Sequence, residues 1–347
     1  MNRRLHLDVA FHEAPDRIGT AAAALERHGA TGMFVSEAQH DPFVSLAAAA
    51  ATTDQMILGT SVAIAFARTP MTTAYAAWDV HRLTDGRSVL GLGTQVAGHI
   101  TRRYGMPWSR PAARMREYVA ALHAIWDSWQ TGGRLTFEGD FYTHTLMLPT
   151  FSPGPLPDAR PPIWLAAVGQ RMIEVAGEVA DGLVIHPLTS DRYRDEILVP
   201  AVRAARERAA RDDEFTVSAM AMVACGHTEE ALAEATALTR MQIGFYASTP
   251  AYLPVLEHHG WADLHRDAHA LVARGGLMEL GSLVDDEVLH TFAVVGEPAA
   301  VASRLRQRYG GHVDRVTMTM PFQAVGEGSV ATAVLDADAH QVTGANR

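Results

Sequence analysis

A carboxylic acid and an imidazole stand close together in Ser36-Glu37-Ala38-Gln39-His40-Asp41-Pro42, directly after a short apolar run. An imidazole titrates near neutrality, so His40 is the candidate proton donor or acceptor, with Glu37 second. The plainer reading is that both side chains satisfy loop backbone. A second group lies in Gly59-Thr60-Ser61-Val62-Ala63-Ile64-Ala65-Phe66-Ala67-Arg68-Thr69-Pro70 and in Gly91-Leu92-Gly93-Thr94-Gln95. Glycines at such places either let a planar ligand approach the backbone or meet a packing need. A third group is Val168-Gly169-Gln170-Arg171-Met172, where a glycine precedes a helix start. Exposed N–H groups and the helix dipole there would bind a phosphate, and Arg171 could add charge. An ordinary strand-to-helix turn has the same residues.

A fourth group is His258, His259, Asp263, His265 and His269. His265 and His269 could share a helix face as metal ligands, but no HExxH accompanies them. A solvated polar helix is the expectation, and no metal is assigned.

Several chemistries are excluded. All 29 basic residues are arginine, against 39 acids and a net charge of -10. Without lysine there is no protein Schiff base, no P-loop and no kinase. Cys225 is the one cysteine, which rules out an intrachain disulfide and a multi-thiolate zinc site. The acidic balance argues against a nucleic-acid or anionic-membrane surface. No leader or membrane span is legible, so a cytoplasmic protein is expected. Arginine for lysine, with abundant alanine, suits a high-GC genome such as an actinobacterial one. Neither a Rossmann glycine fingerprint nor a Gly-x-Ser-x-Gly elbow is present.

These groups need a frame to bring them together. Short β-branched runs alternate with amphipathic stretches about eight times. The strands are expected at 5–11, 32–36, 56–65, 89–93, 163–167, 182–186, 215–224 and 313–320. Helices are expected at 15–29, 43–53, 70–84, 110–130, 170–180, 191–211 and 297–309. That alternation implies a parallel sheet with crossover helices, and eight repeats favour a (β/α)8 TIM barrel. Residues 1–323 then form one domain, with insertions at about 131–161 and 226–290. Residues 324–347 are expected to be a loosely attached tail. In a barrel, function sits at the C-terminal strand ends, where the first three groups fall.

The ordered set of strand ends resembles the bacterial-luciferase-like superfamily of flavin- and deazaflavin-dependent oxidoreductases. It is carried by Phe34-Val35-Ser36-Glu37, by Leu58–Val62 leading to Arg68-Thr69-Pro70, and by Leu83–Thr94. Trp164–Gln170, Val179-Ala180-Asp181-Gly182 and Phe292–Pro298 continue it. The resemblance implies a luciferase-like barrel with a tricyclic cofactor across its mouth. Its deazaflavin-using members place a non-proline cis peptide under the ring, which matches Ser61–Val62, with Ala63 following. It also matches Glu37 to an acid that orients the ring or a proton, Thr94 and Gln95 to the ring's edge, and Val168–Met172 to the phosphate turn.

Two departures limit it. Luciferases carry paired histidines after the acid, where this chain has Ala38 and Gln39. Sugar-phosphate dehydrogenases of the deazaflavin type carry His after the acid and Gly-Glu after Gly-x-Gly-Thr, where this chain has Ala38 and Gln95-Val96. The expected activity is hydride transfer between coenzyme F420 and a small organic substrate. The alternatives are a monooxygenase using FMN reduced by a partner reductase, and a non-catalytic flavin-binding barrel. Phe66, Trp108 and His186 are the expected pocket walls, and the 226–290 insertion is a candidate cover. A homodimer through the helices near Tyr75 and Trp78 is implied by the resemblance.

Overall fold

A computed structural model describes residues 5–157, 159–321 and 323–344. Eight parallel strands close on themselves: His6–Ala10, Gly32–Val35, Ile57–Thr60, Ser88–Gly93, Ile163–Ala166, Gly182–Ile185, Thr216–Cys225 and Arg315–Thr319. Each pairs with its neighbours in sequence. The ring shuts where the seventh strand pairs the eighth and the eighth pairs the first. Nearly every strand residue is buried, because helices cover the outside and side chains fill the inside. The fold is a TIM barrel.

The expected helices form, with proline or a hydroxyl or carboxylate cap at many starts. Asp41 accepts Phe43 N–H and Val44 N–H ahead of helix Pro42–Ala50, and Thr69 accepts Thr72 N–H ahead of Pro70–Leu83. The stretch expected as one helix over 191–211 is interrupted by a π-helical turn at Arg194–Leu198. The hairpin near Glu138-Gly139-Asp140 pairs Phe137–Glu138 with Thr143–His144.

One expectation needs correction. Residues 324–347 contain the helix Val330–Gly344, whose Ala331, Val334 and Leu335 are buried. Asp338 pairs with Arg306, and His28 binds Asp336 and Glu327. The helix is therefore docked on the barrel rather than trailing from it. Trp78 is fully buried against Trp126 and Trp129, with Tyr75 tilted on Trp129, so it fills the interior of the chain.

The 226–290 insertion is mostly helical, led by Glu229–Ala247 and Ala262–Ala273. It has its own apolar core, which includes Ile243, Leu256, Leu271, Leu289 and Phe292. It is fastened to the barrel by a short strand, Ala293–Gly296, that pairs with Met222–Cys225 at the end of the long seventh strand. His265 and His269 point Nδ1 at the carbonyls of Ala247 and Ser248, 2.7 and 3.0 Å away. They cap the C-terminal end of a helix, which accounts for their i, i+4 spacing. No helix among the described residues is long and apolar enough to cross a membrane.

Candidate functional site

The third strand pairs Gly59 with Val89, yet four residues later Ala63 pairs with Leu92. The third strand thus carries one extra residue, a bulge at Ser61-Val62, and the Ser61–Val62 peptide is cis. The bulge is held from below and from the side. Ser61 N–H donates to Val35 O at 2.8 Å, and Glu37 N–H donates to Val62 O at 3.2 Å. The Glu37 carboxylate accepts Ile64 N–H at 2.8 Å, Tyr104 O–H at 3.3 Å and the Arg68 guanidinium. Arg68 also reaches Asp41 at 2.6 Å. Glu37 therefore clamps the bulge with both main chain and side chain.

The neighbouring glycines serve the same close approach. A Cβ on Gly91 would lie 1.9 Å from Thr60 O, and one on Gly93 would lie 2.6 Å from Val62 Cγ2. Both glycines answer a packing need of the protein itself, and Gly93 also lines the cleft.

Above the bulge opens a cleft of about 540 Å³ at the C-terminal end of the barrel. That size suits a drug-sized ligand. Its walls include Glu37, Ser61, Val62, Thr94 and Gln95 on one side. Val168, Gly169 and Met172 contribute another part, and Trp108 and His186 complete the expected set. Gln95 has φ 59°, a left-handed conformation that a non-glycine residue adopts only where its surroundings impose it. Its own Oε1 accepts Val96 N–H.

Five expected residues fall elsewhere. His40 is solvent-exposed and is not part of the wall. It is three residues from Glu37, but the loop turns it outward. Ala63 and Phe66 are buried behind the wall, Phe66 lying edge-on to Trp108 and under Arg114. Gln170 and Arg171 are exposed beside the cleft, where Gln170 Nε2 donates to Glu174. The helix they begin, Gln170–Val179, has Gly169 as N-cap with no side-chain cap. Met172 N–H and Ile173 N–H donate to Gly169 O at 2.9 and 3.1 Å, which leaves the N–H groups of Gln170 and Arg171 for an external acceptor.

The residues that sequence reading missed come from the insertion and the late strands. Tyr246, Ala251, Tyr252, Pro187 and Met220 all line the cleft. Tyr252 stacks on His186 with ring centres 4.2 Å apart, and Tyr246 meets the same ring edge-on at 4.6 Å. Burial pushes the His186 pKa down to about 3 and the Tyr246 pKa up to about 12. All three are uncharged near neutrality. Only the break at Thr249-Pro250, between the two tyrosines, hinted that the chain folds back there.

The comparisons agree with this architecture. The luciferase-like monooxygenase family model matches residues 3–315, and the chain belongs to that family. An uncharacterised protein of Mycobacterium tuberculosis is 50% identical over 90% of this chain and 93% of its own length. A 5,10-methylenetetrahydromethanopterin reductase of Methanolobus tindarius is 25% identical over 88% of this chain and 90% of its own. The solved coenzyme F420 dependent tetrahydromethanopterin reductase from Methanopyrus kandleri superposes with a TM-score of 0.75. It is 19% identical, covering 97% of this chain and 98% of that one. Luciferase-like oxidoreductases and monooxygenases share the fold.

Proposed function

We propose that this protein is an F420-dependent oxidoreductase acting on a small organic substrate. The observation that carries the reading is the placement of two features in one cleft: a bulge clamped by Glu37 and Arg68, and the uncapped helix start at Gly169. The first offers a firm surface for a planar ring. The second offers backbone N–H groups for an anionic tail in a chain that has no lysine to offer. When bound, the deazaflavin would supply a hydride at its C5. The chain's own residues would hold the ring on Ser61-Val62, meet its edge with Thr94 and Gln95, and keep water from the reacting face with Val62, Trp108 and Met172. The family relatives named as reductases support this direction.

The family's name favours a second reading, an FMN-dependent monooxygenase served by a partner reductase. Against it, the positions after the acid are Ala38 and Gln39, both exposed, and His40 lies outside the cleft. Titration of the purified protein with F420 and with FMN, each oxidised and reduced, separates the readings. F420 should bind with FMN weak or absent. Tight FMN binding without F420 binding overturns the proposal, and binding of neither supports a barrel without this chemistry.

A further inference from the structure

The strand order places the end of the sixth strand across the ring from the end of the second, four positions round an eight-stranded barrel. His186 therefore faces the cleft from the side opposite Glu37. Its Nδ1 accepts Leu188 N–H at 3.0 Å, which fixes the tautomer: the ring proton is on Nε2. Burial keeps the ring neutral. Tyr252, stacked face to face, and Tyr246, edge-on, lock its orientation. The hydroxyls of both tyrosines stay protonated because burial raises their pKa values. Among the described residues no hydrogen-bond partner is found for His186 Nε2, Tyr246 Oη or Tyr252 Oη, and all three residues line the cleft. A neutral N–H and two O–H groups thus belong to three rings packed together in one part of the wall.

The charge inventory points the same way. Among the described residues Glu37 is the only charged one in the wall, and Arg68 behind it already matches that charge. No arginine among the described residues lines the cleft, and the chain has no lysine. A carboxylate or phosphate on the substrate would lose its hydration without gaining a counter-ion. The rest of the wall is apolar, through Val62, Trp108, Met172, Val184 and Met220.

We propose that His186, flanked by Tyr246 and Tyr252, is the recognition site for the oxygen of an uncharged ketone or secondary alcohol whose body is largely hydrocarbon. The proposal rests on the cleft being the cofactor and substrate site described above. It assigns the insertion a specific task, since two of the three donors or their supports come from residues 246–252.

Two ketones of matched length test it: 2-heptanone and 6-oxoheptanoate, in which a carboxylate replaces the terminal methyl. Binding to the full-length protein is read by saturation-transfer NMR with F420 present, with FMN present and with neither. The expected result is at least a tenfold preference for 2-heptanone. His186→Phe keeps a ring between the tyrosines and should lower 2-heptanone affinity at least tenfold. It should leave F420 affinity within about twofold. His186→Gln restores a donor near the Nε2 position and should recover affinity to within about threefold of the natural protein.

Equal or tighter binding of 6-oxoheptanoate overturns the proposal. So does undetectable binding of both ketones, or a His186→Phe protein with unchanged ketone affinity. Failure of F420 to bind would overturn the cofactor reading instead, because the ratio of the two ketones is still measured in the FMN-loaded and cofactor-free protein.

Discussion

Glu37 and Arg68 form a buried ion pair whose carboxylate simultaneously takes the N–H of Ile64, three residues after the bulged Ser61. The Glu37 side chain is 8% exposed and that of Arg68 17%, and Arg68 keeps Asp41 as a second partner at 2.6 Å. Removing one member of a fully buried pair costs about 3–5 kcal/mol, mostly from stranding the other, and the bond to Asp41 reduces that cost here. Glu37→Gln should therefore lower the melting temperature by several degrees and weaken F420 binding at least tenfold, since the ring's support moves. Calorimetry and fluorescence titration check the two effects. A variant with natural stability and natural cofactor affinity would show that the clamp is dispensable.

Gly91 and Gly169 make a contrasting pair. A methyl at Gly91 would meet Thr60 O at 1.9 Å, whereas one at Gly169 meets nothing within 4 Å. Overpacking against backbone costs at or beyond the upper end of about 1–3 kcal/mol. Gly91→Ala should leave little soluble folded protein. Gly169→Ala should cost about 1 kcal/mol or less, the scale of N-cap changes. Urea denaturation of both variants measures the difference.

His28 ties the C-terminal helix to the barrel through Asp336 at 2.8 Å and Glu327 at 3.1 Å, and these bonds raise its pKa. A histidine with a raised folded pKa contributes stability that is fully present below about 6.5, the unfolded value, and is lost as pH rises through the folded one. Protection of the amides of Val330–Gly344 against hydrogen exchange should fall as pH rises above about 6.5 in the natural protein. It should not do so in His28→Ala. An identical pH response in both would exclude the tether.

His123 is the opposite case. Its Nε2 is buried without a hydrogen-bond partner, and burial lowers its pKa to about 4. The native state resists protonation where the unfolded chain accepts it, so stability is present above about 6.5 and drains away as pH falls towards the folded value. An unsatisfied buried group costs about 1–3 kcal/mol. His123→Leu should raise the melting temperature at pH 7, and the gain should widen at pH 5. A lower melting temperature at both would mean that packing against Trp126 outweighs the lost orphan.

The barrel was legible because its strands are short apolar runs and its helix starts carry proline or a cap. Those are local signals. The clamp was half legible: Glu37 is visible as an acid after a strand, but its partners are not. Arg68 stands 31 residues on and is brought back by the pairing of the second strand with the third. His40 misled because nearness in sequence says nothing about the direction in which a loop turns a side chain. The helix Val330–Gly344 was missed for another reason. Its buried stripe, Ala331, Val334 and Leu335, stands among further alanines, so the contrast between faces is weak. Tyr246 and Tyr252 lie in the insertion expected as a cover, but apart from the break at Thr249-Pro250 nothing local marks them until that insertion folds over the mouth.

The insertion's interior and the barrel's interior are separate clusters that meet along the seventh strand and the cleft. Changes inside the insertion can reshape the wall that carries Tyr246 and Tyr252 while the bulge, the Glu37 clamp and the turn at Gly169 stay as they are. A lineage could keep one cofactor and explore many substrates by altering some sixty residues that the barrel does not need in order to close.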